Sequence, residues 1–558
     1  MGIPYYFYSL TQKYHTILSN TKPTGLDIYC IDFNGIIHNV AQDIIRKYKD
    51  AANAADVANA ADAANAANAK ERIESEIISG VWERIQYYVE NYKADKYFIC
   101  ADGVAPLAKM FQQRKRRYLN IHKNTLDNVA ITWDTNAITP GTLFMDKLNG
   151  TLNDKLNGTL NETWNGTSNK IIYSGSDECG EGEHKIFHRL KETPVSDKII
   201  IHGLDADLII LSLMSHKENI YLMREMKDPH TNNTVINYLS IKELRKAILC
   251  ELKMTWKLDA SSGYADAADT DLIETYCTAC SILGNDFIPH LLTIELKNNG
   301  IETLMSATKR AIQTNGLLVH NGAINHNCLI DIFRDLANTE DEDIHRICER
   351  YIKKRPPCLP ANAAKSRDVP SDYYGLKNKD PLIHAIYNSP NKWRQEYYRV
   401  IFDNNISIDS TVMFNACNHY IKGIYWVYSY YKGRDIDCEW YYPYNYPPTI
   451  KDILNHSIAN EVPVDITDVP SHVPPYIQLL IVLPKYSVNL LAKKHQRYML
   501  DIYSGLFHMY PVKYEIQTFL KTQLWECSPI LPLINIKYIK RVLEKQVLEK
   551  QVLEKQIK

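Results

Sequence analysis

KIIIHGLDAD, residues 198–207, decides the fold. It is a short apolar run of the strand type, and two carboxylates, Asp205 and Asp207, stand just past its end. Both can reach one crevice only if the chain leaves the sheet there. The arrangement recurs upstream. LDIYCID (26–32) ends at Asp32, and KYFICADG (96–103) carries Asp102 past its last apolar residue. Helical patterns alternate with these runs, which argues for an α/β fold. In an open α/β sheet the side chains at the carboxyl ends of strands converge on one crevice.

Three more carboxylates join this set. Glu181 and Glu183 lie in CGEGEHKIF (179–187), where glycines give a turn and the following residues start a helix. Asp286 is read as the end of a helix, LIETYCTACSILGND (272–286). Taken singly, any of these acids would cap a helix or solvate a loop. Repetition at successive strand ends favours a shared site instead. Converging carboxylates repel one another, and oxygen-rich clusters suit Mg²⁺ or Mn²⁺. Two such ions, ~4 Å apart, activate a water and stabilise the leaving oxygen of a phosphodiester.

GVAPLAKMFQQRKRRYL (103–119) follows Asp102. On a helix, Lys109, Gln113, Arg116 and Arg117 fall at i, i+4, i+7 and i+8, a stripe ~100° wide. One Lys, one amide and two Arg on a single face make a pocket for a terminal phosphate. The same cluster also reads as a nuclear-localisation-like cluster or an ordinary charged face, and spacing alone does not choose. Arg114 and Lys115 point elsewhere and are expected to be solvated.

The chain has 558 residues and a formal net charge of −1, so any nucleic-acid binding needs a local basic surface. Its twelve cysteines follow no small-domain framework and fit reduced thiols. Cys277 and Cys280 form a CxxC on a helix, better read as buried cysteine than as half of a zinc site. The first residues, MGIPYYFYSL, lack the layout of a signal peptide. Tyr6 breaks the myristoylation pattern that Gly2 would begin. No apolar run is long enough to span a bilayer. These features point to the cytoplasm, with the nucleus left open.

Ala51 to Ala69 is nearly pure Ala, Asn and Asp, a solvated helix or loose loop. DKLNGTLN repeats from Asp146 and from Asp154, with Leu148, Leu152, Leu156 and Leu160 every four residues, so a helix is expected despite the glycines. Asp259 to Thr270 is another low-complexity stretch, and VLEKQ recurs from Val542 as a polar helical tail. The expected division is a first region over 1–352 (insert at 51–69), a Pro- and Ala-rich linker over 353–372, an aromatic, mostly helical region over 373–541, and the tail over 542–558.

At these residues the chain resembles the XRN 5′→3′ exoribonucleases, from Met1 to about Leu543. The resemblance rests on MGIPYYFYSL, IDFNGIIHN, ADGVAPLAKMFQQRKRR, ITPGTLFM, SGSDECGEGEHKI, HGLDADLIILSL and LGNDFIPHL in family order, then YIKGIYWVYSYY, EWYYPYNYPP and QLLIVLP. It implies a PIN/flap-nuclease-like core, with a twisted, mainly parallel sheet flanked by helices, embraced by the second region. It implies metals held by Asp32, Asp102, Glu181, Glu183, Asp205, Asp207 and Asp286, and a 5′-phosphate pocket of Lys109, Gln113, Arg116 and Arg117. It implies base contacts from His38 and Trp440, which on residue type alone read better as a core histidine and a packed anchor. The substrate implied is single-stranded RNA with a 5′-monophosphate, cut by a monomer. The family's second-region motif usually reads YPYHYAP; this chain has Asn445 and Pro447. A zinc knuckle and a long C-terminal extension are missing, as in a compact or viral member, and protein partners stay open.

Two other functions compete. A structure-specific DNA flap nuclease would share the core, but usually follows its last metal Asp with a helix-hairpin-helix. Here FIPHLLTIELKNNGIETL follows Asp286 without that pair of glycines. A catalytically dead RNA-binding protein is disfavoured because all seven carboxylates are present.

Overall fold

The computed structural model describes residues 5–54, 63–127, 132–161, 170–227, 234–256, 268–354, 376, 380–403, 410–460 and 472–545. Residues 55–62 of the first low-complexity stretch, 259–267 of the third, 355–372 of the linker and 546–558 of the tail therefore lie outside the described residues.

A seven-stranded sheet forms the centre. Its strands are β1 (Leu18–Ser19), β2 (Leu26–Asp32), β3 (Ala94–Cys100), β4 (Lys170–Ser174), β5 (Lys198–His202), β6 (Asn219–Lys227) and β7 (Thr234–Ser240), in the order β1-β7-β6-β5-β2-β3-β4. The five strands from β6 to β4 run parallel, and β7 and β1 close one side antiparallel. The expected α/β architecture is thus present. After β1 at one edge, the chain enters the middle of the sheet with β2, moves outward through β3 and β4, then returns to place β5 on the other flank of β2. Strand order reverses between β2 and β5, and such a reversal opens a crevice at the strands' carboxyl ends.

Apolar residues alternate to build both faces. Ile28 and Cys30 of β2 point into one core with Ile199 and Ile201 of β5. Tyr29 and Ile31 point into the other, against Ile77, Val81 and Ile85 of the Ala63–Asn91 helix. Each fully buried isoleucine contributes ~1.5–3 kcal/mol of hydrophobic stabilisation. The Leu143–Asn161 helix lies on this second face, where Leu148 and Leu152 are buried, and Leu156 is buried as well, as their four-residue spacing predicts.

The aromatic region is mostly helical and packs on the crevice end of the sheet. Its Thr411–Tyr431 helix joins the first core through Tyr420, Ile424, Trp426 and Val427. Its Pro475–Val482 helix covers Leu107, Met110 and Phe111 of the Leu107–Leu126 helix. Asn445 donates to Gln517 Oε1 at 2.7 Å and the Pro447 carbonyl accepts from Tyr397 at 2.6 Å, so both departures from the usual motif are packed into the fold. Cys277 and Cys280 are buried on the Asp269–Cys280 helix. No described helix is long and apolar enough to cross a membrane.

Candidate active site

Asp32 ends β2, and Asp102 lies two residues past β3. Asp205 follows β5 in an irregular turn, and Asp207 is the first residue of the Asp207–Met214 helix, so the chain does leave the sheet there. Glu181 and Glu183 straddle the start of the Gly182–Leu190 helix. Two glycines permit the close approach. A Cβ at Gly182 would sit 2.6 Å from the Cys100 carbonyl oxygen and 3.1 Å from Asp32 Oδ1; one at Gly203 would sit 2.4 Å from Leu208 Cδ1. Asp286 does not end a long helix. The helix stops at Cys280, a short 3₁₀ turn reaches Leu283, and Gly284 at φ +87° turns the chain, which leaves Asp286 on a loop.

The seven carboxylates are not equivalent. Asp32, Glu183 and Asp205 each place one oxygen within 4.8 Å of the others. The other four are held by neighbours. Asp102 accepts from Asn34 Nδ2 at 2.8 Å and from the Gly182 amide at 2.8 Å. Asp207 accepts from the Tyr431 hydroxyl at 2.9 Å. Glu181 and Asp286 share Lys109, whose Nζ lies 2.5 Å and 3.0 Å from them. Tyr430 donates a second hydrogen bond to Glu181.

Burial and mutual repulsion set the charge state. Burial, then Asp102 and Asp205, push Asp32 well above the usual carboxylate range. Burial lifts Glu183 likewise, more than Lys109 lowers it. Burial and then Asp286 raise Asp207 to about 7. Burial, the largest single influence, would raise Asp286, but Lys109 and the other nearby positive charges together hold this carboxyl at about 2. Glu183 Oε2 is buried without a hydrogen-bond partner. A bound divalent cation would answer both the orphaned oxygen and the repulsion, so the donor set fits Mg²⁺ or Mn²⁺.

The basic helix behaves differently from the expected stripe. Lys109 is the internal counter-charge of the carboxylates. Gln113 and Arg117 carry the buried, unpartnered atoms Oε1 and Nη1. Arg117 Nη2 donates to Thr139 Oγ1 at 2.7 Å, and Arg116 is exposed. His38 lies near both arginines; burial, then Arg116 and Arg117, push it down to about 4. The expectation that Arg114 and Lys115 are solvated is corrected. Arg114 has 0% exposure and donates to the Pro532 carbonyl at 2.8 Å and to that of Met509. Lys115 is partly buried over the Phe111 ring, at 4.4 Å. Both changes arise because the second region covers that side of the helix. Trp440 is 4% exposed and packs 5.0 Å from Trp426, and among the described residues no ring contact joins it to His38. Sequence reasoning missed Asn34, Tyr430 and Tyr431 as holders of Asp102, Glu181 and Asp207. All three sit in quoted motifs, IDFNGIIHN and YIKGIYWVYSYY, so the signal was present without a role attached.

Two family models match the chain. "XRN 5′-3′ exonuclease N-terminus" covers residues 1–226, and "Xrn1 helical domain" covers 268–372 and 386–556. Among curated relatives, the chain is 24% identical to 5′-3′ exoribonuclease 1 of Saccharomyces cerevisiae, over 98% of the chain and 43% of the relative. It is 25% identical to 5′-3′ exoribonuclease 1 of Homo sapiens, over 98% of the chain and 34% of the relative. It is 24% identical to 5′-3′ exoribonuclease 2 of Gallus gallus, over 98% of the chain and 70% of the relative. The chain therefore spans less than half the length of the first two.

Proposed function

Because the chain belongs to the XRN 5′→3′ exonuclease family, we propose that it is a 5′→3′ exoribonuclease that degrades 5′-monophosphorylated single-stranded RNA to nucleoside 5′-monophosphates. The observation that carries this reading is the convergence of Asp32, Glu183 and Asp205 within 4.8 Å at the strand-order reversal, beside a helix bearing unpartnered Gln113 and Arg117 atoms. Mg²⁺ or Mn²⁺, as two ions held among Asp32, Glu183, Asp205, Asp207 and their neighbours, supplies the activated water and the charge that stabilises the leaving oxygen.

The chain's own groups do the rest. Gln113, Arg116 and Arg117 bind the terminal phosphate by charge-assisted hydrogen bonds, which fixes the next linkage at the carboxylates. Lys109 orients Glu181 and Asp286 and favours the charged form of both. Asn34 and the Gly182 amide fix Asp102, and Tyr431 fixes Asp207. His38 meets the first bases by stacking, which tolerates any sequence. We assign Trp440 to the same strand path, reached by rearrangement of its packed ring. Each cut creates a new 5′-phosphate, so the strand advances stepwise. This reading places the protein as a monomer in the cytoplasm, in RNA decay.

The test compares single-stranded RNA labelled at either end with a 5′-flap DNA of the same sequence, across a Mg²⁺ titration. Mononucleotide release from the 5′ end of RNA, absent without divalent metal, is the expected result. Preferential cleavage of the flap junction would instead identify a structure-specific DNA nuclease, and metal-independent RNA binding without cleavage would identify a binding protein.

A further inference from the structure

Glu274 is a buried carboxylate, 4% exposed, that lies outside the set drawn from the strand ends. Three side chains converge on it. The Lys432 ammonium donates to Oε1 at 2.7 Å, the Tyr428 hydroxyl donates to Oε2 at 2.7 Å, and His216 Nε2 lies 2.9 Å from Oε1. Burial would raise this carboxyl, but the hydrogen bonds from His216, Lys432 and Tyr428, with the charge of Lys432, hold it at about 2.

Each partner belongs to an element that carries part of the site. His216 follows the C-terminal end of the Asp207–Met214 helix, whose first residue is Asp207. Its backbone is left-handed, at φ +56°, a strained conformation for a residue other than glycine. Tyr428 and Lys432 lie at the end of the Thr411–Tyr431 helix and flank Tyr430 and Tyr431, which donate to Glu181 and Asp207. Glu274 itself stands on the Asp269–Cys280 helix, which the turn at Gly284 connects to Asp286, and the Phe287 ring packs 4.9 Å from that of Tyr430. The Asp207–Met214 helix is thus gripped at its start by Tyr431 and at its end by Glu274. Apolar residues of similar size would often join these elements at no loss of stability. A buried polar junction with its bonds made instead admits one arrangement. We propose that Glu274 is a positioning residue for the metal centre: by fixing His216, Tyr428 and Lys432 it sets Tyr430 and Tyr431 against Glu181 and Asp207, and so sets the affinity for a divalent cation. The proposal rests on the divalent-metal part of the exoribonuclease reading, and Glu274 touches no reacting atom.

Titration of the full chain with Mn²⁺, followed by the electron paramagnetic resonance of the free ion, reads metal affinity without RNA. Glu274→Gln keeps the side chain's shape but loses its charge and one acceptor oxygen, and should weaken Mn²⁺ binding at least fivefold. On a Tyr430→Phe/Tyr431→Phe background the same change should weaken it less than twofold, because the hydroxyls through which Glu274 acts are gone. Glu340→Gln is the control for a purely structural effect. Glu340, 0% exposed, accepts from the Ile450 and Lys451 amides, and its loss should lower the urea midpoint while Mn²⁺ affinity stays unchanged. If Glu274→Gln fails to fold, Tyr428→Phe, which deletes one hydroxyl from the same junction, should weaken Mn²⁺ at least twofold. Wild-type affinity in Glu274→Gln, or in Tyr428→Phe where that variant stands in, would overturn the proposal. So would the full fivefold loss on the double-phenylalanine background, or an equal loss in Glu340→Gln. A wild-type chain that binds no Mn²⁺ would overturn the metal reading as well, whereas one that binds Mn²⁺ with unchanged affinity in the variants would overturn the role of Glu274 alone.

Discussion

Replacing Lys109 with methionine removes the buried cation that separates Glu181 from Asp286. Its Nζ lies 2.5 Å and 3.0 Å from their oxygens, and its side chain is 10% exposed. At an effective dielectric of about 20, unit charges ~3 Å apart attract by ~5 kcal/mol, and desolvation offsets much of that. Removing one partner of a buried pair nonetheless costs ~3–5 kcal/mol, because the other charge is left uncompensated. Here two carboxylates are left, beside five more. The consequence depends on metal. In EDTA, Lys109→Met should lose ~3–5 kcal/mol, or take up protons to avoid the loss. In saturating Mg²⁺ the added positive charge does part of the lysine's work, and the loss should fall by at least half. Urea denaturation followed by far-UV circular dichroism, with and without Mg²⁺, measures both values. An equal loss in both buffers would refute the idea that Lys109 and a divalent cation neutralise the same cluster.

Asp205→Asn should remove most RNA decay while leaving the fold intact; near-wild-type turnover at saturating Mg²⁺ would contradict the metal assignment. Metal-free protein should lose stability between about pH 4 and pH 7. The carboxyl of Asp207, raised to about 7, stabilises only while protonated, and its ~3-unit rise corresponds to ~4 kcal/mol. Mg²⁺ should flatten that decline, and a flat metal-free profile would show that Asp207 ionises freely in the fold. Tyr431→Phe, which deletes the 2.9 Å hydrogen bond to Asp207, should reduce decay by about tenfold and raise the Mg²⁺ concentration needed; unchanged metal dependence would remove Tyr431 from the site.

The sheet and its carboxylates were legible because the signals are local. LDIYCID, KYFICADG and KIIIHGLDAD each hold a strand and the acid beyond it, and chain geometry then brings the acids together. The division of labour among them was not legible. Which three converge depends on the glycines at 182 and 203 and on side chains from distant segments. Arg114 was misplaced for the same reason. A helical wheel distinguishes faces of one helix, but the Met509 and Pro532 carbonyls that bury Arg114 come from 395 and 418 positions further along the chain. Tyr430 and Tyr431 reach Glu181 and Asp207 across more than 200 positions, and no periodicity announces that. The leucines of the Leu143–Asn161 helix show the opposite case: a four-residue repeat sufficed, since one face of one helix was the whole question.

The most direct measurement is the decay of one RNA prepared with a 5′-monophosphate, 5′-hydroxyl, 5′-triphosphate or cap, by wild type and by Arg116→Ala, in Mg²⁺. The monophosphate form should decay fastest, by at least tenfold, with nucleoside 5′-monophosphates as products. Arg116→Ala should slow that form by roughly 10- to 100-fold, since a charge-assisted contact of ~1.5–3 kcal/mol is lost, and should barely change the hydroxyl form. Equal rates on all four ends, or equal losses on phosphorylated and hydroxyl RNA, would contradict recognition of the 5′-phosphate by this helix.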